Sequence, residues 1–404
     1  MRFSRKQFLK AAGLGVLSAP LARSRTLASE VGEARKTAVP RMKIREVEIY
    51  CLDIPLLEPF KISLGETVAA NDVLIRILTD SGLIGIGEAC PFFPITGETQ
   101  STNIAMAQSI RPIILSKDPL AVEALLGAFP TAAHTNPSIV AAFDMALLDI
   151  LGQAAGLPLY KLLGGYKDTF ETDITVGLNT PEKMAAKAQS HIDKGYKSIK
   201  VKVGQDPDLD ISRLKAVREV IGPERPMRID ANQGWTVPQA VYALNKMEPL
   251  KIQYAEQPVL ASDIAGLKAV RQECTIGIMA DEALFSPADA LKLIKAEACD
   301  FFNIKLMKAG GILNSLRIAH IAEAANMLCM VGCMLETRLG LTAAAHLVAS
   351  QKNIVFADLD GNSEHTMDPF VGGMRVKDGM ITLPEKPGLG VDVDPAFLKK
   401  LKKA

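Results

Sequence analysis

Two different rhythms of hydrophobic and polar residues divide this chain. The first has period two, which is typical of strands with one buried face. Its apolar positions fall into three runs, at 44–49, 73–77 and 84–86. The turn-forming triplet Asp80-Ser81-Gly82 separates the second run from the third and predicts a hairpin. The spacing then becomes helical over 103–163, so we expect an α+β capping domain over residues 41–165.

From about residue 170, short apolar strands alternate with amphipathic helices. Thr180 and Pro181 have the residue types of a helix start, and Gly195 has that of a helix end. Eight strands are predicted, the first over 171–177, the second over 198–203, and six more ending near Asp230, Glu256, Asp281, Lys305, Cys333 and Asp360. This α/β pattern predicts a (β/α)₈ (modified TIM) barrel over residues 166–360, after which residues 361–404 return to the capping domain.

Charged residues recur at the predicted strand ends. Lys202, Asp230, Glu256, Asp281 and Lys305 are separated by 28, 26, 25 and 24 residues. One strand–helix unit of such a barrel takes about 30 residues. Each charge therefore falls at the carboxyl end of a successive strand, and we expect all five to meet at the mouth where these barrels hold their active sites.

The middle three charges are carboxylates, Asp230, Glu256 and Asp281. Brought together they would repel one another, and a hard divalent cation would relieve that repulsion. An all-oxygen set of ligands favours Mg²⁺, one per subunit, with Mn²⁺ as a substitute. A purely structural set of salt bridges with the two flanking lysines is the alternative.

The two lysines belong to strands that face each other across an eight-stranded barrel, the second and the sixth. We expect Lys202 and Lys305 to lie on opposite faces of a substrate carbon beside a carboxylate. Removal of a proton by one lysine and its return by the other would invert that carbon through an enediolate. Lys200 is two residues from Lys202 and points the same way, so its charge should lower the pKa of Lys202.

Several segments together resemble the enolase superfamily, in its muconate-cycloisomerase-like branch. They are Lys200-Val201-Lys202-Val203-Gly204, Arg228-Ile229-Asp230-Ala231-Asn232-Gln233-Gly234-Trp235, Glu256-Gln257-Pro258, Ala280-Asp281-Glu282 and 303–311. The similarity extends over about residues 42–390 and implies the barrel, the Mg²⁺ ligands and the two lysines proposed above. It also implies supporting roles beside the metal ligands for Asn232 and Glu282, and a substrate contact for Lys200.

Within that branch the chain is most similar to dipeptide epimerases. Asp358-Leu359-Asp360 matches their Asp-x-Asp motif, which binds the free amine of the dipeptide while its C-terminal carboxylate binds Mg²⁺. The segment 332–337 resembles their seventh strand and implies substrate contacts by Cys333 and Met334. The resemblance and the abundance of murein fragments favour an L-Ala-D/L-Glu-type substrate.

One departure leaves the side-chain preference open. Members acting on Ala-Glu carry an arginine in a mobile N-terminal loop, where this chain has Gly65 within 60–67. Lys61 or Ser63 could compensate. The alternatives are epimerisation of other small or hydrophobic dipeptides, a cycloisomerase or an o-succinylbenzoate synthase-like enzyme, and a non-catalytic exported barrel that binds metal or peptide. The substitutions Asp358→Asn and Asp360→Asn would leave the cycloisomerase or synthase nearly intact.

Composition and the N-terminus bear on partners and location. The net charge of +1, without a basic block, argues against nucleic acid. Six cysteines lack metal-type spacing. Residues 1–40 begin with basic residues and a short apolar run over 11–22, which resembles a twin-arginine export leader followed by a tether. We therefore expect a periplasmic enzyme without a stable membrane anchor, or a cytoplasmic one if the leader is not functional. We also expect a homo-oligomer that binds a small dipeptide.

Overall fold

The computed structural model describes residues 41–404, so the expected export leader lies outside the described residues. The architecture is a near-closed barrel of eight parallel strands preceded by an antiparallel capping domain, which confirms the predicted fold class. The described residues of the capping domain contain three strands, five α-helices and one short 3₁₀ helix (Thr131–Thr135). The strands and α-helices are β1 (Ile44–Ile62), β2 (Gly65–Thr79), β3 (Ile84–Ala89), α1 (Phe93–Thr96), α2 (Gln100–Ile114), α3 (Val122–Gly127), α4 (Pro137–Ala155) and α5 (Leu159–Leu162).

The capping sheet follows the alternation in the sequence. Strands β1 and β2 pair antiparallel with Ile49 opposite Ile75, and both side chains are buried. Strand β3 pairs with β2 after the predicted turn at 80–82. Helix α4 packs against β2 and β3 and buries most of its length. The sheet and this helix therefore form one packed unit.

Helix α4 is also apolar enough, at a mean hydropathy of 1.5, to pass the length and composition test for a membrane span. The sequence pattern did not single it out. Because 72% of its apolar 18-residue stretch is buried inside the protein, α4 has the character of a core helix.

The barrel strands lie in chain order around the sheet. They are β5 (Ile174–Val176), β6 (Ile199–Lys202), β7 (Met227–Asp230), β8 (Ile252–Glu256), β9 (Gly277–Ala280), β10 (Phe301–Ile304), β11 (Leu328–Gly332) and β12 (Ile354–Asp358). The amide of Asp173 donates to the carbonyl of Ala357 at 3.1 Å and links the first strand to the last. Tyr254, Met279 and Met330 pack together inside the barrel, so its interior is filled with side chains.

The first predicted strand, over 171–177, was too long. Its start forms a separate strand, β4 (Thr169–Glu171), which pairs antiparallel with a strand near the C-terminus, and only Ile174–Val176 joins the barrel. The reason is tertiary, because a partner strand from the far end of the chain binds residues 169–171.

Eight α-helices lie outside the barrel in the described part of the chain, and the first of them begins and ends close to the predicted positions. They are α6 (Pro181–Asp193), α7 (Pro207–Ile221), α8 (Val237–Met247), α9 (Ile264–Glu273), α10 (Pro287–Ala296), α11 (Leu306–Ala309), α12 (Ile312–Ala324) and α13 (Arg338–Ser350). In α6, Thr180 is the N-cap residue and Pro181 opens the helix. Met184 and Ala188 are buried on the barrel-facing stripe.

The C-terminal segment continues past the barrel as β13 (Phe370–Gly372), β14 (Arg375–Lys377), β15 (Met380–Thr382), β16 (Val391–Val393) and α14 (Pro395–Leu398). Near its end, the Cys51 amide of β1 donates to the Lys402 carbonyl at 3.0 Å. The domain boundaries at residues 165 and 360 stay predictions.

Candidate active site

The five charged residues of the regular series occupy one end of the barrel. Lys202, Asp230 and Glu256 are the last residues of β6, β7 and β8, and Asp281 and Lys305 directly follow β9 and β10. Lys202 pairs with Asp230, and Asp230 with Glu256, in the strand register. Because the strands are parallel, equal sequence spacing has become spatial adjacency at the carboxyl mouth.

The three carboxylates are close enough to share one cation. One oxygen from each of Asp230, Glu256 and Asp281 lies within 4.8 Å of the others, and all three residues are fully buried. Burial, and then the charge of Asp230, raise the pKa of Glu256 to about 8. Surrounding protein groups therefore do not easily hold three ionised carboxylates, and an added divalent cation would.

Each carboxylate has one oxygen held by a protein donor. The backbone amide of Asn232 donates to Asp230 Oδ1 at 2.9 Å. Asn303 Nδ2 donates to Glu256 Oε1 at 2.7 Å, and Lys308 Nζ donates to Asp281 Oδ1. The second oxygens, Oδ2, Oε2 and Oδ2 respectively, face lysine ammonium groups instead. The residues therefore fit a hard cation that takes one oxygen from each, an all-oxygen set suited to Mg²⁺ or Mn²⁺.

The two predicted bases lie beside this cluster. Lys202 Nζ is 2.6 Å from Asp230 Oδ2, and Lys305 Nζ is 2.8 Å from Asp281 Oδ2. They come from β6 and from the residue after β10, half the barrel apart, and both line the same small cavity. Burial alone would lower the pKa of Lys305, but the charges of Asp281 and Glu256 outweigh it and raise the pKa.

Lys200 points toward the same cluster as Lys202, as its period-two spacing predicts, but lies deeper. Its Nζ is 2.7 Å from Asp358 Oδ2, 2.8 Å from Glu256 Oε2 and 3.2 Å from Asp230 Oδ2. Lys200 is 1% exposed and is not among the residues that line the cavity. Lys200 thus contacts three carboxylates, and its substrate contact stays a prediction.

The Asp-x-Asp pair lines another side of the cavity. Asp360 Oδ2 accepts from the Thr175 amide at 2.6 Å, and Asp358 is held by Lys200. Burial and the charge of Asp358 raise the pKa of Asp360 to about 6. Two adjacent carboxylates in a buried wall are suited to bind a cationic group such as an ammonium.

The other predicted residues are also at the site. Asn232, Cys333 and Met334 line the cavity, and Asn232 Nδ2 donates to Glu282 Oε1 at 3.0 Å. Burial and the charge of Asp281 raise the pKa of Glu282 to about 7.

Residues 60–67 form a hairpin end, and the expected loop is limited to its turn. Phe60–Ile62 belong to β1 and Gly65–Thr67 to β2, with Ser63 and Leu64 between them. The Ser63 hydroxyl contacts the Ala231 and Asn232 carbonyls at 3.0 and 2.8 Å. Lys61 is bound to Glu66 at 2.9 Å on the exposed surface. Lys61 and Ser63, which could compensate for Gly65, thus contact protein groups, and their compensating role stays a prediction.

Sequence reasoning missed the supporting roles of Asn303 and Lys308, and it named Ser63 only as a possible substitute for the loop arginine, not for its contacts with the barrel. The first two had a local signal, since Asn303 is two residues before Lys305 and shares its side of β10, and Lys308 is one helical turn after it. Ser63 had none, because its partners are 168 and 169 residues away.

Known proteins are similar to this chain over nearly its whole described length. Residues 44–164 match the mandelate racemase/muconate lactonizing enzyme N-terminal domain, and residues 183–397 match the enolase C-terminal domain-like family. An L-Ala-D/L-Glu epimerase of Clostridium acetobutylicum is 44% identical over 354 residues, covering 87% of this chain and 99% of the relative. A hydrophobic dipeptide epimerase of Enterococcus faecalis is 42% identical, covering 87% and 99%.

A solved structure of a dipeptide epimerase is also similar to this chain. The dipeptide epimerase of Cytophaga hutchinsonii, in complex with Mg and the dipeptide D-Ala-L-Val, superposes with a TM-score of 0.88 at 42% identity, covering 90% of this chain and 99% of that one.

Proposed function

The chain belongs to the mandelate racemase/muconate lactonizing enzyme group of the enolase superfamily, and from this premise we propose that it is a Mg²⁺-dependent dipeptide epimerase. The observation that carries the proposal is the placement of Lys202 and Lys305 on opposed strands of one cavity, with the carboxylate cluster beside both. The relatives named above are isomerases of this class.

The substrate would be held at both ends. Asp230, Glu256 and Asp281 would hold the cation, which when bound would offset the negative charge that develops on the substrate's C-terminal carboxylate. Asp358 and Asp360 would bind the free amine of the first residue. The α-carbon of the second residue then lies between the two lysines.

Inversion requires that a proton is removed from one face of the α-carbon and another is delivered to the opposite face. A neutral lysine takes the α-proton, so that the C–H bond breaks and an N–H bond forms. The opposite lysine, as an ammonium, returns a proton to the other face, and its own N–H bond breaks as the new C–H bond forms. The charges of Asp281 and Glu256 raise the pKa of Lys305, and a cation bound to these carboxylates would offset that effect.

The sequence favours an L-Ala-D/L-Glu-type substrate, with small or hydrophobic dipeptides as the alternative. Relatives of nearly equal identity, 44% and 42%, bear names for both kinds of substrate. Overall similarity therefore does not choose between the two.

The test is deuterium exchange at the α-carbon of free dipeptides in D₂O with Mg²⁺, followed by mass spectrometry and NMR. The wild type should exchange and invert the C-terminal residue. Lys202→Ala and Lys305→Ala should each lower epimerisation by about 10²–10⁴-fold, and each should retain exchange with only one epimer. Lys215→Ala, at an exposed position of α7, is the control.

Two results would count against the proposal. One is the absence of exchange in every free dipeptide while the protein binds Mg²⁺. The other is exchange of both epimers by both lysine variants. An N-acetylated dipeptide should be a poor substrate, because it has no ammonium group for Asp358 and Asp360.

A further inference from the structure

We propose that the site selects dipeptides whose second residue has an uncharged, apolar side chain, and discriminates against glutamate there. The inference rests on the proposed function, since it concerns the substrate of the same site. It starts from the wall that the capping domain adds to the cavity. That wall consists of apolar side chains: Phe60, Ile62, Phe92 and Ile95.

The substituents of the reacting carbon define where its side chain goes. When the α-proton has left, three groups remain in one plane, with a lysine above and a lysine below. The carboxylate points to the cluster of Asp230, Glu256 and Asp281, and the amide nitrogen to the Asp358–Asp360 side. The third direction, that of the side chain, leads toward the capping wall.

The positively charged side chains at the cavity are already paired with carboxylates. Among the described residues that line it, Lys202 and Lys305 carry the positive charges, and they contact Asp230 and Asp281 at 2.6 and 2.8 Å. A glutamate carboxylate against the capping wall would lose its water without gaining a charged partner. Such burial of an unpaired charge is strongly unfavourable.

A neighbouring cleft offers room but no charge partner. It has a volume of about 530 Å³ and shares Phe92 and Leu335 with the cavity. Within residues 41–404, its lining includes Glu66 and Glu98 and no lysine, arginine or histidine. A long apolar side chain could extend into this cleft, whereas a carboxylate would meet two acidic residues.

The basic residues near the mouth lie elsewhere. Lys61, Lys183 and Lys187 line a different cleft of about 750 Å³, beyond Asp360 on the amine side. Lys187 is paired with Glu364 at 2.9 Å, and Lys61 with Glu66. Two of these three cations are therefore already paired with glutamates, and Lys183 is exposed to solvent at the start of α6.

The experiment compares three dipeptides of similar size, L-Ala-L-Met, L-Ala-L-Gln and L-Ala-L-Glu, by kcat/KM for epimerisation with Mg²⁺. We expect the methionine substrate to exceed the glutamate substrate at least tenfold, which corresponds to about 1.4 kcal/mol in transition-state binding. Glutamine, polar but uncharged, should lie between them. Glutamate turnover equal to or above that of methionine would overturn the inference and leave the proposed function intact. No exchange with any dipeptide would instead contradict the proposed function.

A pair of variants isolates charge from size. Leu64 is 36% exposed in the hairpin turn and lines the cleft of Glu66 and Glu98. Leu64→Arg should raise the glutamate-to-methionine ratio of kcat/KM about tenfold, and the matched Leu64→Gln should not. If the wild type prefers methionine but Leu64→Arg leaves that ratio unchanged, missing positive charge is not the basis of selection. Methionine turnover reports that both variants are folded.

Discussion

At the residue scale, the most important feature is how the two oxygens of each clustered carboxylate are bound. In Asp230, Glu256 and Asp281 one oxygen accepts from a protein donor and the other faces a lysine ammonium group. Such donors orient the ligands before a cation arrives, which lowers the entropy lost on binding. Asn303 is the most informative of them because it is neutral, whereas loss of Lys308 would also change the local charge.

We predict that Asn303→Leu weakens Mg²⁺ binding by about 10–100-fold. The substitution removes the donor to Glu256 Oε1 at 2.7 Å and leaves the net charge unchanged. Isothermal titration with MgCl₂ measures the effect. Asn245→Leu, at an exposed position of α8, is the control. An affinity equal to that of the wild type would show that Glu256 needs no support from Asn303.

At the element scale, the β1–β2 hairpin connects the capping domain to the barrel mouth. Its turn is anchored at Ser63, whose hydroxyl contacts the carbonyls of the two residues that follow β7. The same hairpin end carries Phe60 and Ile62 into the cavity wall. The position of one turn therefore determines how closely an apolar wall covers the reacting carbon.

Ser63→Ala should lower kcat/KM for the dipeptide about fivefold, as expected for the loss of roughly 1 kcal/mol from one neutral hydrogen bond. Its Mg²⁺ affinity should stay at the wild-type value, since no metal ligand is on the hairpin. Steady-state kinetics and titration calorimetry measure the two. Ser81→Ala, in the turn between β2 and β3, is the matched control. Unchanged kcat/KM would mean that the hairpin stays docked without Ser63.

At the scale of the whole molecule, two buried carboxyl groups on α4 join the capping domain to other parts of the fold. Asp144 accepts from the Ile312 amide at 2.6 Å, at the start of α12. Asp149 accepts from the Leu389 amide of the C-terminal segment at 2.8 Å. Burial raises the pKa of each to about 7.

These two groups should destabilise the protein as the pH rises. The native state retains protons that the unfolded chain releases above about pH 4. Their contribution to the free energy of unfolding therefore falls between about pH 4 and the folded pKa of about 7, and is constant above it.

Urea denaturation at pH 5 and pH 7.5, with EDTA, tests this for Asp144→Asn. The difference in unfolding free energy between the two pH values should shift in the variant, with less loss at pH 7.5 than in the wild type. The exposed Asp168→Asn should behave as the wild type. Parallel pH profiles for Asp144→Asn and the wild type would contradict the predicted protonation of Asp144.

The fold class could be read from the sequence because its signals are local and repeated. Period-two alternation, helix-start residues such as Thr180 and Pro181, and units of near-constant length each report on a short segment. The regular spacing from Lys202 to Lys305 converts directly into a common mouth, since a parallel barrel carries every strand end to the same edge. For the same reason the strand series located the carboxylate cluster and both lysines.

Tertiary structure alone decided the strand pairings and side-chain contacts that join segments distant in the sequence. It divided residues 171–177 between two sheets, because β15 pairs with the first part. It buried Lys200 among three carboxylates, and it placed the Ser63 hydroxyl against the two residues that follow β7. Local periodicity records which face of an element is buried, but not which distant side chain meets it. The chemistry of the site was therefore determined by the sequence, while the wall that would choose the substrate's side chain came from packing.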